Sequence, residues 1–285
     1  MKILKISKAL RLAEALLMTG FIIVGAVFAL QKTADIDWAG LMWASAASYL
    51  LMLSVYSANS LLGWKDDKNN QRLEALHGFK KPFFTITSLL FYIVSFVICF
   101  LLNPESLFLH FTVFALWFLY ALPGFGKHLP VVGSILHVLV AIAQFNFAYM
   151  FFQPLSAESL LLSVYFALLI TGGHLHHEII DYEVDKSNKI KTSTVKWGIA
   201  NTKIFSFLIF ASASIYVITL KLMGLFDTFQ MLVFAFAFQI HLILYFFVGG
   251  NIETHSAKRL LYRLLYRIIY FVCGLIVSID ILFLN

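Results

Sequence analysis

The feature that most constrains this chain is that apolar stretches of bilayer length recur from one end to the other. Crossing the hydrocarbon core as a helix takes roughly 20 mainly apolar residues. Stretches of that kind lie near residues 12–30, 39–63, 83–102, 107–123, 130–152, 158–179, 203–222, 228–248 and 260–283. Short polar breaks separate them, the two longest at 65–81 and 181–202. Lipid offers the backbone no hydrogen-bond partner, so a spanning segment must pair its own N–H and C=O groups. The runs are therefore read as helices. The expected fold is an all-α integral membrane protein, with nine transmembrane helices around a central cavity, in a single membrane domain over residues 1–285. Composition agrees with lipid as the solvent: 61% of the residues are hydrophobic and 13% charged.

The few charges set the orientation. Cytoplasmic connections carry an excess of Lys and Arg. With the N-terminus inside, only Lys32 and Lys221 of the 21 Lys and Arg fall in outer connections. The N-terminus and both long acidic segments are thus expected at the cytoplasmic face. Lys2, Lys5, Lys8 and Arg11 precede a run long enough to span, which favours a retained first helix over a cleaved leader. The net charge of +6 sits in short loops and forms no continuous basic face, which excludes nucleic acid as a partner. Membrane lipid is the expected surrounding partner, with the Arg-rich stretch 258–267 beside anionic headgroups. Cys99 and Cys273 lie inside apolar runs and read as small packing residues.

The second acidic segment reads His174-Leu-His-His177-Glu178-Ile-Ile-Asp181-Tyr-Glu183-Val-Asp185-Lys186, followed by Thr192 and Gly198. On a helix Glu178, Asp181 and Asp185 share one face. Three carboxylates so placed repel one another unless a cation lies among them, and oxygen ligands of this kind suit Mg²⁺ shared with substrate phosphates. The same spacing also suits a solvated helix end whose acids balance Lys186, Lys189 and Lys191. The first segment holds Asn59, Ser60, Gly63, Lys65, Asp66 and Asp67, then Arg72. Asn59 and Asp67 lie two helical turns apart, although an ordinary helix terminus at Gly63 accounts for the pattern equally well.

Taken together, these residues resemble the UbiA superfamily of intramembrane prenyltransferases, with nine helices and aspartate-rich motifs after helices 2 and 6. The first family motif runs Asn-Asp-x-x-Asp-x-x-x-Asp. Here Asn59 and Asp67 match it, while Ser60 and Gly63 replace its middle acids. Asp181, Asp185, Thr192 and Gly198 match the second motif, and His177 stands where an acid or Asn is frequent. Tyr120, Lys127 and Pro130 are similar to the family's short connection between helices 4 and 5. The resemblance implies an Mg²⁺-dependent enzyme that ionises an isoprenoid diphosphate at the cytoplasmic face and passes the prenyl group to a lipophilic or aromatic acceptor. It implies catalytic and metal-holding roles for Asn59, Asp67, Asp181 and Asp185, with Asp66 and Glu178 taking over for the missing acids. Lys65, Lys68, Arg72, Lys127, Lys186 and Lys189 are then the expected phosphate contacts. The reduced first motif also fits a UbiA-type terpene cyclase.

Other polar residues fall at membrane depth: His110, His137, Gln144, Asn146, Gln239, His241 and Asp280. Such groups usually face the bundle interior. Gln144 and Asn146 are expected to line a substrate cavity. His174, His177, Glu178 and Asp181 share a face, yet none of the other apolar spans carries a Glu-x-x-His to complete a di-iron site. A cation transporter is the rival class; its site would lie near the bilayer midplane, whereas these acids cluster at a helix end.

Overall fold

Local sequence signals account for where the helices begin and end. The structure, a computed structural model, describes residues 2–33, 35–64, 78–253 and 255–284. Its helices are α1 (Lys2–Ala9), α2 (Leu12–Leu30), α3 (Trp38–Leu62), α4 (Lys81–Leu102), α5 (Leu107–Ala121), α6 (Val132–Tyr149), α7 (Ala157–Ser187), α8 (Ser193–Trp197), α9 (Ile199–Leu222), α10 (Thr228–Phe247) and α11 (Ser256–Ile279). Among the described residues nine segments are long and apolar enough to cross a membrane. They are α2, α3, α4, Pro104–His128 around α5, α6, α7, α9, α10, and Ser256–Leu284 around α11. The starts of α3, α7, α8 and α10 are capped by side chains. Asp37 accepts a hydrogen bond from the Gly40 N–H at 2.8 Å. Ser156 with Ser159 and Asp227 with Gln230 form reciprocal capping boxes on α7 and α10.

The chain divides into two compact units, Met1–His128 with Leu139–Leu155, and Leu129–Val138 with Ser156–Asn285. In the first unit α3 packs against α2, α4 and α5. Helices in lipid gain little from burying apolar surface against each other, so close approach and polar contacts between them matter more. Both are present. A Cβ on Gly25 of α2 would collide with the Phe145 carbonyl, so glycine is what lets the two backbones meet. A buried polar chain links three helices: the His110 Nε2–H donates to Ser95 Oγ at 3.0 Å, and Ser95 Oγ–H donates to the Ala47 carbonyl at 2.8 Å. His110 is therefore structural.

In the second unit α7 packs against α9 and α11, and α10 against the same two helices. Phe210 covers Gly172, and Ser206 Oγ donates to the Gly172 carbonyl at 2.8 Å. His241 of α10 is buried, with Tyr262 Oη at 2.7 Å and Tyr270 Oη at 3.4 Å, both from α11. The main departure from the sequence reading concerns α7. Hydropathy ends this span near residue 179, but the helix continues to Ser187. Its 31 residues rise about 46 Å, well beyond a hydrocarbon core of roughly 30 Å. The second acidic motif is thus a helical extension and not a loop. A Schellman turn ends it: the Ile190 N–H donates to the Asp185 carbonyl at 2.9 Å and the Lys189 N–H to Lys186 at 3.2 Å. Lys189 occupies the left-handed position, φ 58°, where glycine is usual.

Candidate functional site

The helical extension of α7 decides how the second-motif acids are presented. Asp181 and Asp185 stand one turn apart and are partly exposed; the Asp181 side chain retains 22% of its free surface. His177 Nδ1 lies 3.7 Å from Asp181 Oδ2, so the residue that replaces an acid in the motif sits beside the next one. Lys186, Lys189 and Lys191 are exposed around the same helix end, with Lys186 over the Tyr182 ring at 5.5 Å. Oxygen donors and mobile ammonium groups on one helix terminus suit a polyanionic ligand carried with a hard cation.

Glu178 is placed differently. It is buried, at 7% exposure, and its two carboxylate oxygens face protein groups on different sides. Oε1 faces His174 Nε2 at 3.1 Å. Oε2 accepts from the Thr194 N–H at 3.0 Å and from Thr194 Oγ1 at 3.4 Å. A buried carboxylate needs such partners, because desolvation would otherwise force it to neutralise. His174 in turn stacks on His137 of α6, ring centroids 3.6 Å apart, and His137 Nδ1 donates to the Gly133 carbonyl at 2.9 Å.

The segment after α7 is shaped by residues that the spacing singled out. Thr192 caps α8 by accepting from the Val195 N–H at 3.3 Å. Gly198 ends it at φ 83°, a conformation side chains rarely adopt. The fixed distance between Thr and Gly is therefore the length of one short capped helix. Ser193 Oγ accepts from the Val131 N–H at 3.3 Å. Val131 has φ 71°, and a β-branched residue held there costs on the order of 1–3 kcal/mol. Sequence inspection missed Val131, Ser193 and Thr194, because nothing in their local pattern announces a contact across 16 or more positions.

Glu183, two residues from Asp181, points elsewhere: it is 71% exposed, with Arg259 Nη1 at 3.9 Å. Arg259 itself is buried and donates to the carbonyls of Ile252, Glu253 and Ile179 at 2.8, 2.9 and 3.5 Å. His176 Nε2 donates to the Arg259 carbonyl at 3.1 Å, which fastens the α7 end to α11.

In the first unit, Asn59 is partly buried on the last turn of α3, and its carbonyl accepts from the Gly63 N–H at 2.8 Å. Ser60 is buried and donates to the Tyr56 carbonyl of its own helix at 2.9 Å, so its hydroxyl takes no carboxylate's place. Lys127 is partly buried on the turn Gly126–His128. Gln144 and Asn146 are buried on α6. Gln144 Nε2 donates to Met52 Sδ at 2.9 Å and Asn146 Nδ2 to the Ile142 carbonyl at 2.9 Å, while Gln144 Oε1 and Asn146 Oδ1 have no hydrogen-bond partner among the described residues. Lys65, Asp66, Asp67, Lys68 and Arg72 lie outside the described residues. Among the described residues no three His, Cys, Asp or Glu side chains gather closely enough to hold a metal ion by themselves.

Comparison with known proteins places this architecture. No protein of curated function matches the chain by sequence. A UbiA homologue from Archaeoglobus fulgidus bound to GPP and Mg²⁺ superimposes with a TM-score of 0.74 at 15% identity, over 96% of this chain and 99% of that one. The apo structure of a UbiA homologue from Aeropyrum pernix K1 gives 0.73 at 18%, over 94% and 98%. A structure of digeranylgeranylglyceryl phosphate synthase gives 0.70 at 14%, over 99% of both chains. At these identities the likeness is one of fold. The model of the UbiA prenyltransferase family matches residues 18–268, most of the chain's length, and the protein belongs to that family.

Proposed function

We propose that this protein transfers a prenyl group from an isoprenoid diphosphate to a lipophilic or aromatic acceptor, with Mg²⁺, at the cytoplasmic face of a membrane. One observation carries the reading: Asp181 and Asp185 are presented one turn apart at the partly exposed end of an over-long helix, beside Lys186 and Lys189. Family membership and the GPP and Mg²⁺ bound to the Archaeoglobus protein support it. The donor chemistry fits Mg²⁺, which takes carboxylate, phosphate and water oxygens in near-octahedral geometry. Cys99 and Cys273, the softer donors, are buried within α4 and α11. Ser60 and Gly63 bring no carboxylate to the first motif, so diphosphate oxygens are proposed to complete the shell. Asn59, Asp66 and Asp67 enter as further ligands on sequence alone.

Bound Mg²⁺ supplies charge neutralisation that makes diphosphate a competent leaving group. Asp181 and Asp185 hold and orient that charge. Lys186, Lys189 and Lys127, with Lys65, Lys68 and Arg72 from the first segment, contact phosphate oxygens as the C–O bond breaks and diphosphate departs with the electron pair. The acceptor then forms the new bond to the prenyl carbon and releases a proton. The buried amide oxygens of Gln144 and Asn146, without a hydrogen-bond partner among the described residues, are suited to accept a hydrogen bond from an acceptor hydroxyl.

A second reading, cyclisation of the same substrate, is favoured by the first motif, where Ser60 is turned back on its own helix. The protein in lipid nanodiscs, incubated with isoprenoid diphosphates of graded length, with and without a lipid extract, separates the two. Release of diphosphate with an acceptor-linked product supports transfer. A hydrocarbon product formed without acceptor supports cyclisation, and no diphosphate release from any substrate overturns both.

A further inference from the structure

We infer that Glu178 is a positioning residue that clips the segment following the second acidic motif onto α7, and is not a metal ligand. The inference rests on the proposed reading in which Asp181 and Asp185 hold Mg²⁺.

Helical spacing alone puts Glu178 on the face of the other two acids, and occupancy is what separates it from them. Asp181 and Asp185 are partly exposed, whereas Glu178 is buried. Its Oε2 already accepts from the Thr194 backbone N–H and hydroxyl, and its Oε1 lies 3.1 Å from His174 Nε2.

Those contacts join three stretches of chain within the second unit. Glu178 ties α7 to the α8 turn through the Thr194 backbone. Ser193, next to it, holds the N–H of Val131 in its left-handed conformation. His137, six residues beyond Val131, stacks on the histidine that faces Glu178. The backbone between the Schellman turn at Lys189 and the cap at Thr192 is consequently pinned at both ends, by Asp185's carbonyl and by Glu178. That short stretch carries Lys189 and Lys191. A residue closing this circuit governs where the lysines and the helix end lie without touching the ligand itself.

The test compares E178Q, E178A and D185N in nanodiscs, reading turnover, the Mg²⁺ concentration for half-maximal rate, and hydrogen exchange at the Thr194 amide. Glutamine keeps its oxygen toward the Thr194 N–H, and its amide nitrogen can donate to His174 Nε2 once that ring carries its proton on Nδ1. A clip therefore predicts that E178Q restores most of the turnover that E178A loses, a loss of about 10- to 100-fold, the scale of supporting residues around metal sites. It also predicts faster exchange at Thr194 in E178A but not in E178Q. A ligand predicts that E178Q raises the Mg²⁺ requirement as much as D185N does, and that result overturns the proposal. So does unchanged Thr194 exchange in E178A. The exchange measurement needs no turnover, so it decides the clip even where wild-type protein shows no activity on isoprenoid diphosphates and the proposed function itself fails.

Discussion

Asp181, Glu183 and Asp185 are near neighbours in sequence, and their orientations divide them. Asp181 and Asp185, four apart, share a face; Glu183 is mostly exposed beside Arg259. D181N and D185N should each lower turnover at least about 100-fold with normal expression, the scale of removing one electrostatic partner from a developing charge. E183Q should leave most of the activity. Steady-state rates on purified protein check this, and equal losses at Glu183 and Asp181 would sink the assignment. Lys189 offers a cleaner separation of charge from fold. Its left-handed φ favours glycine, so K189G should hold or raise the thermal midpoint. If the ammonium contacts phosphate, the same variant should raise the KM for the diphosphate substrate. A K189G protein with unaltered KM would show that this lysine is only a helix terminus.

Helices meet closely in this protein where side chains are smallest. Gly25 on α2 faces the Phe145 carbonyl with no room for a methyl group. G25A should therefore lower the thermal midpoint in detergent, consistent with about 1–3 kcal/mol of overpacking, because a backbone carbonyl cannot rotate away. A midpoint equal to wild type would mean that α2 shifts freely. The extension of α7 is the other decision made by a whole element. It converts a polar segment that hydropathy assigns to a loop into two further turns of rigid helix. Acids on a helix hold their mutual spacing, as metal chemistry demands, whereas acids on a loop would have to be ordered by the ligand.

At the scale of the whole molecule, the reduced first motif sets the expectation for metal binding. No described trio of side chains suffices for a cation, and Ser60 and Gly63 contribute no carboxylate. Mg²⁺ should bind the empty protein negligibly and bind strongly once diphosphate is present. Linkage is reciprocal, so Mg²⁺ should tighten a non-reactive diphosphate analogue by the same factor that the analogue tightens Mg²⁺. Titration calorimetry with each ligand in the presence and absence of the other measures both factors. Tight Mg²⁺ binding without analogue, or analogue affinity unchanged by a chelator, would remove the basis of the mechanism.

The sequence by itself determined the class of this protein. Bilayer-length apolar runs leave helices as the available structure, and their polar breaks placed the nine spans to within a few residues of those observed at most ends. It also exposed the second motif, because carboxylates three and four apart are a local pattern, and Thr192 and Gly198 because caps are local chemistry. What it could not determine was which acids the fold holds and which it leaves exposed. Glu178, Asp181 and Asp185 are equivalent in periodicity. Only the fold brings the Thr194 amide and the His137–His174 stack onto one of them and leaves the other two partly exposed. The true end of α7 was likewise hidden, since hydropathy reports the lipid boundary while backbone hydrogen bonds, closed by Lys189 and Ile190, report the helix.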